Sequence, residues 1–301
     1  MLSRYDHRTY VISSIQAVQS ERNANKYKNV DPSKGEPNRN LINGLEKFCE
    51  INEGQLYLLT MNGMDATERD LHPYFLQDKF KVMEPHDRDY KLNNNCIISD
   101  IIVPPQNVDP STSKDRYVQS DQTMIFAHPK QRFKTVAAGN AKLPKILATT
   151  GACTHPNYNE TNSKGDTAKK DHKYGAVVVE IIDDTSYNLR HIPAFKNGKF
   201  IDLGVLYNGN KIVEEKVKCE ALVLGDIHWG DHDFRAIEAN YEMIDFFKPK
   251  RLFLHDLLNG HSVNPHEKDN FLSRARFYEQ GRLSIEDELK AVYKELIRFL
   301  S

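Results

Sequence analysis

The chain has 301 residues, enough for two domains of ordinary size, each burying its own apolar core. Its 41 Lys and Arg balance 42 Asp and Glu, and the net charge of -1 excludes a global field that would gather nucleic acid or an anionic membrane, so any such contact must come from local patches. The four cysteines, Cys49, Cys96, Cys153 and Cys219, lie 47, 57 and 66 residues apart, which fits neither a zinc knuckle nor a dense disulfide framework and points to reduced thiols in a cytoplasmic protein.

In chain order, the opening MLSRYDHRTYVISS lacks the apolar run of a signal peptide, and no later stretch approaches the roughly 20 apolar residues that cross a bilayer. Tyr10 to Ile15 reads as a strand and is followed by a polar stretch, Glu21 to Asn38. The apolar positions Leu41, Ile42, Leu45 and Phe48 recur at three and four, which predicts a helix with one buried face. Leu56 to Thr60, closed by Asn62 and Gly63, reads as a buried parallel strand, so residues 1–75 form a βαβ unit. Residues 76–218 break into short runs separated by Gly, Pro and Asn, such as CIISDIIVPP, TMIFAHP, KILATTG and YGAVVVEII, and predict a mostly antiparallel β region. Asn208-Gly209 marks a hairpin turn within it, and Asn157 to Lys173 reads as a surface loop.

From residue 219 the α/β pattern returns. ALVLGDIHWG, a helix over Phe234 to Phe247, and RLFLHDLLNG repeat the order of the opening unit, with Ser14 falling on Asp226, Gln16 on His228 and Met61 on Asp256. A true repeat would mean that the first copy lacks every one of these polar groups. The last element is an amphipathic helix, Ser284 to Leu300, with Ser284 and Asp287 spaced as a capping box.

Chemistry concentrates in VLGDIHWGDHD. Asp226 and His228 are two apart after the apolar run Ala221 to Leu224, so on an extended backbone both face one side at the carboxyl end of a strand, where open parallel sheets place their ligand sites. The run Leu252 to Leu254 delivers His255 and Asp256 to the corresponding edge of a neighbouring strand. Mixed oxygen and nitrogen ligands suit manganese, iron or zinc better than calcium or magnesium. The plain alternative has Asp226 capping the following helix and His228 on the surface, with His232 and Asp233 as exposed turn residues or as supports of the ligands.

These residues resemble the first two blocks of the calcineurin-like metallophosphoesterases, GDIH for the first and HDLLNG for the second. The resemblance implies an α/β core with two divalent metal ions, manganese first, with iron, zinc or magnesium also admissible. Asp226 and His228 would hold the first metal, Asp256 would bridge both, and His255 and Asn259 would stand at the catalytic edge. His255 replaces the family's usual glycine. The family's third block, a Gly-Asn-His run, and its late Gly-x-His pair do not follow, and Gly260-His261 and Pro265-His266 come too soon after Asp256 to replace them. The core is therefore expected to be incomplete in this chain and preceded by a mixed α/β and β-rich region. The missing ligands would come from further sequence, a partner subunit or another copy of the chain, or the site would be a metal-free scaffold.

The segments LPKILATTGACTHPNY and KKDHKYGAVVVEI, ahead of the phosphoesterase blocks, resemble in arrangement the pre-early DNA-transfer nucleases of tailed bacteriophages. That resemblance implies a phage-encoded DNase acting in the host cytoplasm. Two basic clusters bear on DNA as a partner. His128, Lys130, Arg132 and Lys134 alternate, as they would on one face of a strand, and Lys169, Lys170, His172 and Lys173 lie beside Tyr174, against the plain reading of solvated lysines. The contrasting function is a non-catalytic assembly or DNA-binding protein. Cys153, among small polar residues, has no general base in view.

Overall fold

A computed structural model describes residues 8–18, 34–63, 69–83, 89–118, 122–137, 145–265 and 269–300. The chain divides into two compact units, Met1–Glu215 and Lys216–Ser301. Both are mixed α/β. Most of the polar stretch after Glu21 lies outside the described residues.

Unit 1 begins with β1 (Thr9–Gln16), α1 (Arg39–Ile51) and β2 (Gly54–Met61), with β1 and β2 parallel. β1 is buried along its whole length because it is covered on both faces: Val11 and Ile15 join Leu41, Leu45 and Phe48 of α1, while Tyr10 and Ile12 face the other way. Alternation of side chains across a strand thus assigns neighbouring residues to two cores. The following strands are β3 (Lys81–Met83), β4 (Tyr90–Asn93), β5 (Cys96–Ser99), β6 (Thr123–Phe126), β7 (Phe133–Val136) and β8 (Lys145–Thr149). After α2 (Ser163–Asp171) come β9 (Tyr174–Ile181), β10 (Tyr187–Ala194), β11 (Phe200–Asp202), β12 (Val205–Asn208) and β13 (Lys211–Glu214). An eight-stranded sheet runs β13-β12-β11-β10-β9-β1-β2-β3, and a five-stranded sheet runs β4-β5-β6-β8-β7. The opening βαβ unit therefore shares its main sheet with the β-rich region. Ile98, Ile125 and Ala148 of the smaller sheet pack with Val177 and Val179 of the larger.

The region is mostly antiparallel, as expected: β9 to β13 form an antiparallel run, and β4 and β7 pair antiparallel with β5 and β8. Within it, β5, β6 and β8 are parallel. Short apolar runs reveal strands but not their direction, and the long link from Ser99 to Thr123 is what a parallel crossover requires. One expectation needs correction: Asn157 to Lys173 is not a plain surface loop. It contains α2, capped by Asn162 accepting from the Gly165 N–H, and it buries Asn157, Tyr158 and His172. Polar composition misleads here because most of the polar atoms of these groups pair internally. Asn157 exchanges hydrogen bonds with the Gln16 carboxamide at 2.8 and 2.9 Å, and the Tyr158 hydroxyl lies 2.8 Å from His172 Nδ1. α2 lies so close to this loop that a Cβ on Gly165 would stand 1.8 Å from the Asn159 carbonyl oxygen.

Unit 2 comprises β14 (Leu222–Asp226), α3 (Phe234–Phe247), β15 (Leu252–His255), α4 (Phe271–Glu279) and α5 (Ile285–Leu300). β14 and β15 are parallel. Leu224, Ile227, Ile237 and Phe299 form its core, with Tyr241 stacked on Phe299 at 4.9 Å. The Ser284 hydroxyl accepts from the Asp287 N–H at 3.3 Å and starts α5. Val223 and Phe253, at 68% and 52% exposure, show that one face of the two-stranded sheet is uncovered within this unit. No helix among the described residues is long and apolar enough to cross a membrane.

Candidate metal centre

The sequence of unit 2 sets two strand ends side by side. Asp226 closes β14 opposite His255 of β15, and beyond them the two backbones stay joined, with His228 N–H donating to Asp256 O at 2.8 Å and Trp229 N–H to Leu257 O at 2.9 Å. This pairing brings one ligand atom from each of Asp226, His228 and Asp256 within 4.8 Å of one another, all three exposed. They could hold a metal ion. The donor set, two carboxylates and an imidazole, is of the type expected for manganese, iron or zinc.

Backbone conformation helps to shape the site. Six non-glycine residues among those described have positive φ, and His228 at 49° and Asp256 at 40° are two of them. The left-handed region costs an ordinary side chain on the order of 1 kcal/mol and tends to persist at sites where it turns a side chain to a particular use. Here both turns aim side chains from adjacent strand ends at one point.

His255 contacts the group directly. Its Nδ1 lies 2.6 Å from Asp226 Oδ1 and 3.7 Å from Asp256 Oδ2, so the ring braces the Asp226 carboxylate. The Asn259 amide is engaged elsewhere: Nδ2 lies 2.5 Å from Asp231 Oδ2, which His261 Nε2 also meets at 2.6 Å. Arg282 Nη2 completes the cluster 2.7 Å from Asp231 Oδ1. Burial opposes ionisation of Asp231, but hydrogen bonds from His261, Arg282 and Asn259 outweigh it and pull its pKa down to about 2. Asp231 therefore ties the loop after β14 to the loop after β15. That is the kind of outer support on which ligand geometry depends.

Asp231 and Arg282 were not legible as partners, although Asp231 stands inside VLGDIHWGDHD. His261 packs on Phe277 at 4.1 Å and belongs to this support. His266 lies outside the described residues. Asp233, not Asp226, caps α3, accepting from the Arg235 N–H at 2.9 Å, while His232 stacks on Trp229 at 4.0 Å.

The expected basic row in unit 1 does not form one strand face. His128 is buried in the turn before β7, and burial pushes its pKa down to about 4. Lys130 pairs with Asp171 at 2.9 Å and Arg132 approaches Asp109 at 3.9 Å. Only Lys134 lies on β7, because β6 ends at Phe126 and the chain turns before the next strand. Lys169 and Lys170 occupy the last turn of α2, with Lys169 bonded to Glu160 at 2.6 Å. All four cysteines are free, and Cys153 is fully buried with its thiol pushed up to about 12, which rules against a thiolate nucleophile.

No family model matches the chain. It is 28% identical over 163 residues to Protein A1 of Escherichia phage T5, covering 52% of this chain. The chain spans only about 29% of that relative's length. Among solved structures, it is similar to Vps29 from Chaetomium thermophilum at a TM-score of 0.33 and 11% identity, over 66% of this chain and 99% of the other.

Proposed function

We propose that unit 2 is a metal-dependent phosphodiesterase module and that the chain is a phage-encoded DNase working in the host cytoplasm. The observation that carries the hydrolase reading is the convergence of Asp226, His228 and Asp256 within 4.8 Å at the carboxyl ends of two parallel strands. Two divalent ions, manganese first, would supply a clamp on the phosphate and acidify a water towards neutrality. Asp226 and His228 would hold the first ion, and Asp256 would bridge to the second. His255 would keep Asp226 in its ligating rotamer, while its Nε2 could meet a substrate phosphate oxygen. Asn259 would orient the rim of the site through Asp231.

DNA as substrate rests on the phage nuclease resemblance, on the phage relative, and on the lysines of α2. One observation favours the contrasting reading, a non-catalytic assembly or DNA-binding protein: only three ligating side chains converge among the described residues, fewer than a two-metal site needs. Manganese-dependent cleavage of linear DNA and of a small phosphodiester, with Asp256→Asn as control, separates the two. Cleavage by the parent and not by the variant upholds the enzyme; equal residual activity in both, with manganese bound by neither, removes it.

A further inference from the structure

Unit 1 contains a lysine-rich cavity that the metal centre does not use. The loop after β8, α2, the start of β9 and the end of β10 line a half-open cavity of about 740 Å³. That lies within the roughly 300–1,000 Å³ of small-molecule sites. Its wall carries Lys34, Lys169, Lys170, Lys173 and Lys196, from segments up to 162 residues apart. Glu160 and Asp166 also line it, which leaves five ammonium groups against two carboxylates, a net charge of +3 with the histidines neutral. Glu160 is taken up by Lys34 at 3.3 Å and Lys169 at 2.6 Å. Among the described residues no carboxylate pairs with Lys170, Lys173 or Lys196.

Lys169, Lys170, Lys173 and Lys196 are exposed, and the rings behind them are held by polar contacts. The Tyr158 hydroxyl meets His172 Nδ1 at 2.8 Å, and His172 Nε2 meets Thr154 O at 3.0 Å. His155 Nδ1 and the Tyr174 hydroxyl are 2.8 Å apart. Such a satisfied network rigidifies what it supports. Concentrating like charge in a concave wall raises the local attraction for an anion, and ammonium groups serve phosphate as point charges. The volume exceeds a bare phosphate, and Pro156, Ala194 and Tyr174 add apolar surface for a sugar and base.

We propose that this cavity binds a nucleoside monophosphate, either free or at the phosphate-bearing end of a DNA strand. The choice of a nucleotide rests on the phosphodiesterase reading of unit 2; the anion site rests on unit 1 alone. It would retain a cleavage product or hold a strand end.

The test is calorimetric titration of the 301-residue chain in EDTA with deoxyadenosine 5′-monophosphate, deoxyadenosine, inorganic phosphate, and one oligodeoxynucleotide with and without its 5′-phosphate. The monophosphate should bind, deoxyadenosine should not, and the affinity should be unchanged in Asp256→Asn. Lys170→Glu with Lys173→Glu should weaken binding about tenfold or more, and the charge-removing pair Lys170→Gln with Lys173→Gln should also weaken it, with an unchanged circular dichroism spectrum. Preference for the phosphorylated oligonucleotide over the free nucleotide would identify a strand end as the source; the reverse would identify the free nucleotide. Absence of binding by any phosphate at millimolar concentration, binding indifferent to both lysine pairs, or binding lost in Asp256→Asn would overturn the proposal. Hydrolysis is not read in any arm, so failure here is distinct from failure of the metal centre.

Discussion

The two parallel strand–helix–strand units of this molecule end in opposite ways. Where unit 2 presents Asp226, His228 and Asp256 to solvent, the positions aligned with them in unit 1, Ser14, Gln16 and Met61, are 0%, 1% and 5% exposed. The Ser14 hydroxyl donates to Gly151 O at 2.5 Å, and Gln16 is locked to Asn157. The carboxyl end of β1 is thus plugged by the loop after β8, and a plugged strand end admits only groups that pair internally. The comparison teaches that a βαβ scaffold does not make a site; what covers its carboxyl edge decides whether charge can stand there.

The strongest test exchanges the two ends. Ser14→Asp would bury a carboxylate against a carbonyl and should cost about 3–5 kcal/mol, unfolding unit 1 or shifting its urea midpoint sharply. Asp226→Ser, at an exposed position, should move stability by no more than about 0.5 kcal/mol. The same change should weaken manganese binding, followed by electron paramagnetic resonance, by at least roughly 100-fold, since even outer-shell changes cost about 10–100-fold. A stable Ser14→Asp chain would show that the β1 end is not sealed as described.

Acid should separate the units next. Burial pushes His172 down from its ordinary 6.5 to about 4, so the unfolded chain binds that proton more readily between those values. Its stabilisation of unit 1 is complete above about pH 6.5 and lost as the pH falls to about 4, a contribution of about 3 kcal/mol. The one tryptophan, Trp229, lies in unit 2. Far-ultraviolet circular dichroism should therefore report loss of unit 1 in this window while Trp229 fluorescence does not. Coincident transitions would contradict independent responses.

The smallest effect belongs to the Asp231 cluster. Its carboxyl is held below the ordinary 3.8, so its contribution is complete above that pH and lost as the pH falls towards 2. With the Asp231 side chain 46% exposed, solvent screening limits this to about 1 kcal/mol or less. Arg282→Ala should raise the midpoint of the Trp229 fluorescence change in acid slightly and lower manganese affinity by about tenfold. An unchanged affinity would mean that Asp231 supports the fold and not the ligands.

What could be read in advance followed from periodicity and local chemistry. The spacing of Leu41, Ile42, Leu45 and Phe48 located α1, and the run before Asp226 located β14, because apolar repeats of 3.6 or 2 residues are imposed by the element itself. The grouping of Asp226, His228 and Asp256 was legible from the apolar runs that end beside them, but only Asp226 closes a strand: His228 and Asp256 lie just beyond β14 and β15 and reach the site through positive-φ turns, not by alternation along an extended backbone. Hidden polar partners were not legible. The long polar run from Asn157 looked solvated, although Asn157 and His172 are buried by contacts with residues as far away as Gln16 and Thr154. The alternation from His128 to Lys134 looked like a strand face because a turn leaves no mark when its residues are also polar.

By itself the sequence determined most of the strands and helices, α2 and α4 excepted, and which side chains could ligate a metal, because these depend on residues near in sequence. The tertiary structure alone decided that β5, β6 and β8 run parallel, that the β1 end is sealed while the β14 end is open, and that Lys34 and Lys196 share one cavity wall. These outcomes depend on which distant segment covers which strand end. Burial and charge density are properties of that covering, which no local pattern encodes.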